Sequence, residues 1–522
     1  MTRSDRRWCW IISGLILLLT AVPYVLAFLQ AGSEWVFSGF VFGVEDGNSY
    51  IAKMLAGSAG AWLFRTPYTG MQQNGTLAFL PYLLLGKLAQ PPALHTKLIV
   101  LFQLFRLCGI PVLIFSIFRF VSLFLDSTAN RKWATGLAVI GGGLWWLIPL
   151  LGQTTWLGSL PLDFYSPETF GFLSILGLPH LIFARALFLE ALRQYLLAVE
   201  KSGRGFLAGA LLLVVALLQP MTAVLAFAVI GAHLLALAGH ATSRRSWKTW
   251  LLWLRAALET VLLPLPLLAL LSISFLQDPF LSAWTRQNRL ESPHPLHYVL
   301  AFGALLPVAV LGVKRLLNRD EKALLPVAWS VMLPALAYAP VTVQRRLPEG
   351  IWVALLILAG AGISRLSRRR AVRLAYIIIL IPSTLLLYAG SLQTAVSPAA
   401  PVFHPRPLAD SFEWSAEHLP ESALVLASYE TGNILPAYAP VRVVVGHGPE
   451  SVGLTELLPT VEAFYREEMQ AETCTWLNAE GIDYVFWGPQ EKALGEHDVL
   501  VLDCLTASYN RDGIHIFEVV SP

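Results

Sequence analysis

The stretch from Gly43 to Tyr68, GVEDGNSYIAKMLAGSAGAWLFRTPY, follows the first apolar segment of the chain and opens with two adjacent carboxylates, Glu45 and Asp46. Carboxylates beside a hydrocarbon layer are costly, so they ask for a reason. At the mouth of a membrane domain, a carboxylate can act as a base on a water-borne acceptor while a second substrate arrives through the lipid. The competing reading is a cap: both acids would stand at the positive N-terminal end of the following helix. In that helix Ile51, Met54, Leu55 and Ala59 recur at helical spacing. It is expected to lie in the membrane interface with its apolar side down.

Two further clusters carry charge near apolar segments. Arg345 and Arg346 are expected on the outer side, directly before a span, against the usual cytoplasmic bias of basic residues. Guanidinium groups pair in two-pronged fashion with phosphate, so these arginines are read as phosphate contacts or headgroup anchors. Asp163, Glu168 and His180 fall at or near the same side. The two acids would line an acceptor site, hold a divalent ion with Asp46, or be ordinary solvated loop acids. His180 would face a cavity or bond a neighbouring helix.

Other chemistries find no support in the residues. There is no zinc-ligand spacing, no phosphate-binding or dinucleotide glycine motif and no nucleophile elbow, so no nucleotide cofactor is expected. No basic run with interleaved aromatics points to nucleic acid. Gly446-His447-Gly448 reads as a strand-ending turn; Tyr429, Glu430 and Asn433, after a strand end, would meet an acceptor or cap the membrane cavity, or be ordinary turn residues around Thr431-Gly432-Asn433.

The elements that must position these groups are mostly apolar. The 522-residue chain is 56% hydrophobic and 14% charged, with a mean hydropathy of +0.60. Soluble domains carry about 25% charged residues, so much of this surface must face lipid. Trp8–Leu29 is long enough to span a bilayer and is read as an uncleaved first span with a cytoplasmic N-terminus. The basic joints 126–133, 200–205, 240–248, 314–322 and 364–373 are assigned to the cytoplasm. Alternation then puts the C-terminal segment outside. Within 77–125, Pro91-Pro92 and Gly109-Ile110-Pro111 mark three short pieces, giving thirteen spans, with eleven as the fallback.

The expected organisation is a polytopic helical domain over 1–395, whose first outer loop is 30–76, and an extracytoplasmic α/β domain over 396–522. A proline-rich linker, SPAAPVFHPRP, joins them. Strands are expected at 422–428, 441–446, 483–488, 498–503 and 514–520, with an amphipathic helix at 455–470. Cys474 and Cys504 both fall in this outer domain, where a disulfide between them or two buried thiols are the alternatives.

Asp46, Tyr50 four residues later, and the following "AKML…GAWLFRTPY" resemble the first outer loop of the GT-C class of membrane glycosyltransferases. The nearest likeness is to the protein O-mannosyltransferase and aminoarabinose transferase branch, whose loop begins Asp-Glu-x-x-Tyr. Gly47 stands where that branch has Glu, and QQNGTLAFLPYLLLGKLA replaces its Lys-Pro-Pro segment. The resemblance implies a mostly α fold and inverting transfer of a sugar from a polyprenyl-phosphate donor to an extracytoplasmic glycan, lipid or protein. It implies Asp46 as general base with Glu45 as stand-in, and Arg345 and Arg346 at the donor phosphate; Tyr50 is expected beside them, and Asp163, Glu168 and His180, from their depth alone, around the substrate cavity. A divalent metal ion is left open. The location implied is the plasma membrane. The alternatives are a flippase for lipid-linked sugars and a non-catalytic assembly protein of the same fold. A flippase should show paired halves, and no such symmetry is present.

Overall fold

The structure, a computed structural model, describes residues 1–241, 247–319, 321–466, 473–495 and 502–520. It is mostly helical. Among the described residues five helices are long and apolar enough to cross a membrane: Arg3–Gln30, Leu94–Val121, Pro220–Gly239, Gln344–Ile363 and Arg369–Val396. Two bent pairs, Trp247–Leu262 with Leu265–Gln277 and Leu296–Phe302 with Leu306–Leu316, raise the number to seven if each is one span. Large apolar side chains such as Leu29, Leu235 and Leu276 are exposed along these helices. Water would penalise such a surface; lipid does not.

The stretch 77–125 departs from its expected division. Leu80–Gly86 is a short helix, and Leu94–Val121 runs unbroken through Gly109, Ile110 and Pro111. Proline inside a long apolar helix is tolerated where neighbouring helices and local adjustments satisfy the carbonyl it frees. Pro111 therefore does not act as a stop.

The chain forms two compact units that interleave along the sequence. The first comprises Met1–Val22, Leu104–Leu270 and Arg289–Leu392. Its core is the helix Ile351–Ile363, buried along its whole length. The helices Thr128–Ile140 and Leu306–Leu316 pack against it.

The second unit comprises Pro23–Gln103, Leu271–Asn288 and Gln393–Pro522. Trp35–Phe37 pairs antiparallel with Phe403–Pro405, so the end of the proline-rich stretch is a strand. Arg406–His418 follows as a helix with proline in its first turn. A five-stranded sheet runs in the order Arg442–Val443, Leu424–Leu426, Tyr484–Trp487, Ile514–Val519, Leu505–Arg511. Its first three strands are parallel, and the last two form an antiparallel hairpin. The hairpin turns at Asp512 and Gly513, both with positive φ, the backbone that an Asp-Gly turn supplies. The strand expected at 498–503 lies mainly outside the described residues. The helix expected at 455–470 is present as Leu454–Tyr465. Cys474 and Cys504 are joined by a disulfide.

The helix Val44–Ser58 does not lie with a free apolar side at an interface. Residues on all its sides are buried, including Asn48, Ser49, Ile51, Lys53, Met54 and Leu55. It packs against Leu80–Gly86 and against Tyr429–Tyr438, the latter a helix where a turn was expected. The first crossing is close because both residues at the contact are glycines. A Cβ on Gly57 would lie 2.1 Å from the Leu83 carbonyl oxygen, and one on Gly86 only 1.8 Å from that of Met54.

Candidate active site

Glu45 and Asp46 occupy the first turn of the helix Val44–Ser58, where the helix dipole favours negative charge. The residue at the cap is Gly43, which has no side chain to close the helix. Both acids are exposed. Three segments of the same unit converge on them: the helix itself, the start of the helix Tyr429–Tyr438, and the loop from Gly446 to Ser451.

That loop is held by its own side chains. The Ser451 hydroxyl accepts from the backbone N–H groups of Gly446 and His447, at 3.0 and 3.1 Å. Gln287, at the end of the helix Pro279–Gln287, donates to the Ser451 carbonyl at 2.9 Å and accepts from the Gly453 N–H at 3.2 Å. His447 is thereby set between two carboxylates. Its Nε2 lies 3.3 Å from Asp46 Oδ1, and its Nδ1 lies 3.5 Å from Glu450 Oε1.

Behind the histidine is a buried ion pair. Lys53 Nζ is 2.6 Å from Glu450 Oε1, and both side chains are essentially inaccessible. Lys53 also donates to the hydroxyl and carbonyl of Ser49, and its ammonium lies 4.4 Å from the centre of the Phe79 ring. Glu450 accepts from Ser49 and Thr66 as well. A charge buried without such partners would cost several kcal/mol, about what is lost when one side of a buried pair is removed. Burial alone would raise the Glu450 carboxyl. The Lys53 ammonium and His447 outweigh that, with hydrogen bonds from Lys53 and Thr66, and hold it below the ordinary carboxylate range.

Glu45 is tied in separately. Tyr429 donates its hydroxyl to Glu45 Oε1, and the Gly448 N–H donates to the Tyr429 oxygen at 2.7 Å. Burial and the adjacent Glu45 push the Tyr429 phenol up, so it stays a donor. Asn433 donates to the Glu45 carbonyl at 3.3 Å and accepts from Asn48 at 2.8 Å. Tyr50 is half-buried, with its ring stacked on Tyr82 at 4.5 Å between centres.

The remaining expected site residues belong to the first unit. Asp163 is buried, and its Oδ2 accepts from the Gly143 N–H at 2.8 Å. Burial pushes its carboxyl up to about 7, against hydrogen bonds from Ser383 and Gly143. Glu168 is buried 3.4 Å from Arg346 Nε. Arg185 pairs with Glu349 and donates to the Pro167 and Glu168 carbonyls at 2.6 and 2.8 Å. Asp163 and Glu168 are therefore not solvated loop acids. The Arg345 guanidinium lies 4.6 Å from the centre of the Tyr165 ring, and no carboxylate pairs with it among the described residues. His180 is half-buried in the first turn of the helix Pro179–Lys201. Among the described residues no three His, Cys, Asp or Glu side chains gather as a metal ion would require.

The sequence marks none of His447, Glu450 and Lys53 as a site residue, His447 reading as part of a turn, whereas Tyr429 is weighed there against ordinary turn chemistry. One signal was available. Asp46, Ser49, Tyr50 and Lys53 recur at i, i+3, i+4 and i+7, a polar stripe on one side of a helix whose apolar residues alone had been weighed.

No protein-family model matches the chain, and no curated protein matches it. Solved structures do. The archaeal oligosaccharyltransferase AglB from Archaeoglobus fulgidus, in complex with an inhibitory peptide and a dolichol-phosphate, matches with a TM-score of 0.57 at 13% identity, over 99% of this chain and 74% of that one. The apo form of the Archaeoglobus fulgidus oligosaccharyltransferase matches with a TM-score of 0.57 at 14% identity, over 93% and 70%. ArnT from Cupriavidus metallidurans bound to undecaprenyl phosphate gives 0.47 at 13% identity, over 98% and 99%, and no weight rests on it. The chain thus shares the fold of the Archaeoglobus fulgidus oligosaccharyltransferase, in line with the mostly α fold that the resemblance of its first loop implied.

Proposed function

We propose that the chain is an integral membrane glycosyltransferase that takes a sugar from a polyprenyl-phosphate carrier and transfers it, with inversion, to an extracytoplasmic glycan, lipid or protein. The observation that carries this reading is Asp46: an exposed carboxylate on a helix end, held by His447 against a buried Lys53–Glu450 pair. Asp46 takes the proton of the acceptor hydroxyl as that oxygen bonds to the anomeric carbon. The bond from that carbon to the phosphate oxygen breaks, and the electron pair leaves with the phosphate. Arg345 meets the charge that develops there, while Arg346 is partly neutralised by Glu168.

The fold shared with a dolichol-phosphate-bound oligosaccharyltransferase supports a lipid-linked donor. We place the N-terminus in the cytoplasm and the segment 396–522 outside. The unbroken helix Leu94–Val121 favours eleven crossings over thirteen.

The test is purified protein offered a panel of polyprenyl-phospho-sugars, with transfer and donor hydrolysis read by mass spectrometry. Asp46→Asn is expected to lose at least ~100-fold in rate while its unfolding temperature is kept. Undiminished transfer by that variant would remove Asp46 from the chemistry.

A further inference from the structure

We propose that His447 is a positioning residue for Asp46, fixing the carboxylate's orientation through Nε2 while Glu450 fixes the ring from behind; this rests on Asp46 being the base. The geometry is ordered by exposure. The Asp46 side chain is 55% exposed and His447 only 6%, and the Glu450 and Lys53 side chains are buried. An acid on the first turn of a helix has several staggered rotamers open to it. A contact at Oδ1 from a ring that cannot move selects among them.

The ring is fixed from several directions. The Ser451 hydroxyl holds the His447 backbone N–H, and the Tyr68 ring stands 5.4 Å away, centre to centre. Glu450 faces Nδ1 at 3.5 Å and is itself fixed by Lys53, Ser49 and Thr66. Of the two ring nitrogens, Nε2 hydrogen-bonds Asp46 Oδ1 and Nδ1 has no hydrogen-bond partner among the described residues. An ionised carboxylate only accepts, so the contact needs the proton on Nε2, and Glu450 stands at the opposite edge. The role is orientation, whose loss degrades catalysis without weakening the binding of a lipid donor.

Two measurements test this. The first needs no substrate: the protein is labelled with 15N-histidine in detergent micelles, and the His447 signal is identified by its absence from His447→Gln. Asp46→Asn is expected to shift the Nε2 resonance, and Glu450→Gln the Nδ1 resonance. A His447 signal that ignores the Asp46 substitution overturns the contact.

The second measurement is turnover of an undecaprenyl-phospho-sugar active with the wild type. His447→Ala should lower kcat by about 10–100-fold and leave the donor KM within about twofold. Added imidazole should restore most of the loss, and His447→Gln, which keeps one N–H donor, should fall between. Wild-type kcat in His447→Ala, or a loss that imidazole leaves untouched, overturns the positioning role. Full activity in Asp46→Asn would instead remove the base itself, while the resonance measurement would still decide the contact.

Discussion

Each of the two units buries an ion pair, and they differ in the charge that pair supports. In the unit with the first loop, Lys53 and Glu450 are buried together, and the chain of contacts runs through His447 to an exposed carboxylate, Asp46. In the other unit Arg185 and Glu349 are buried together beside Glu168, and the more accessible member is a guanidinium, Arg346, 34% exposed. In both, exposure rises from pair to periphery. One series ends in an exposed carboxylate and the other in a partly exposed guanidinium. A buried pair is a weak source of stability by itself; under the proposed function its use is to hold a working charge still.

Removing one member of each pair should break the comparison most severely. Lys53→Met strands Glu450, and Arg185→Met strands Glu349, each costing about 3–5 kcal/mol. Thermal unfolding in detergent should show both drops, and Lys53→Met with Glu450→Leu should recover much of the first. An unfolding temperature unmoved by Lys53→Met would mean the pair anchors nothing. The next effect separates the two arginines. Arg345→Gln should raise the donor KM by about tenfold or more, the worth of a charge-assisted hydrogen bond, and Arg346→Gln by less. The reverse order in steady-state kinetics would move the phosphate to Arg346.

The smallest effect is in pH, and its sign differs between the units. The Glu450 carboxyl lies below its ordinary value in the folded chain. Its contribution to stability is therefore present above pH 4.5 and lost as pH falls through the lower folded value. Asp163 is raised to about 7, so its contribution declines as pH rises from about 4 and is gone above about 7. Unfolding temperatures should show an acid limb softened by Glu450→Gln and a neutral limb softened by Asp163→Asn. Identical profiles in variant and wild type would remove each group from the pH response.

Local pattern carried much of this structure into view. The apolar runs, the strands Leu424–Leu426, Tyr484–Trp487 and Ile514–Val519, and the acid pair at a helix start are all readable from composition and spacing. The strand Leu505–Arg511 was passed over although Asp512-Gly513 marks its turn. What could not be read was partnership across the chain. Asp46 and His447 are 401 positions apart, and no local pattern joins Gly446-His447-Gly448 to the first loop. Pro111 failed as a boundary because proline's usual effect presumes that water or a turn will satisfy the freed carbonyl.

The ammonium of Lys53 meets its carboxylate 397 residues further along. A ribosome adding about 5–20 residues per second exposes this lysine long before Glu450 exists. Lys53 therefore lacks its carboxylate while every intervening helix is made, and meets it only after Glu450 has been synthesised. The surroundings of the first loop are thus completed late in synthesis, and a chain interrupted before Glu450 carries a cation without its buried counter-charge.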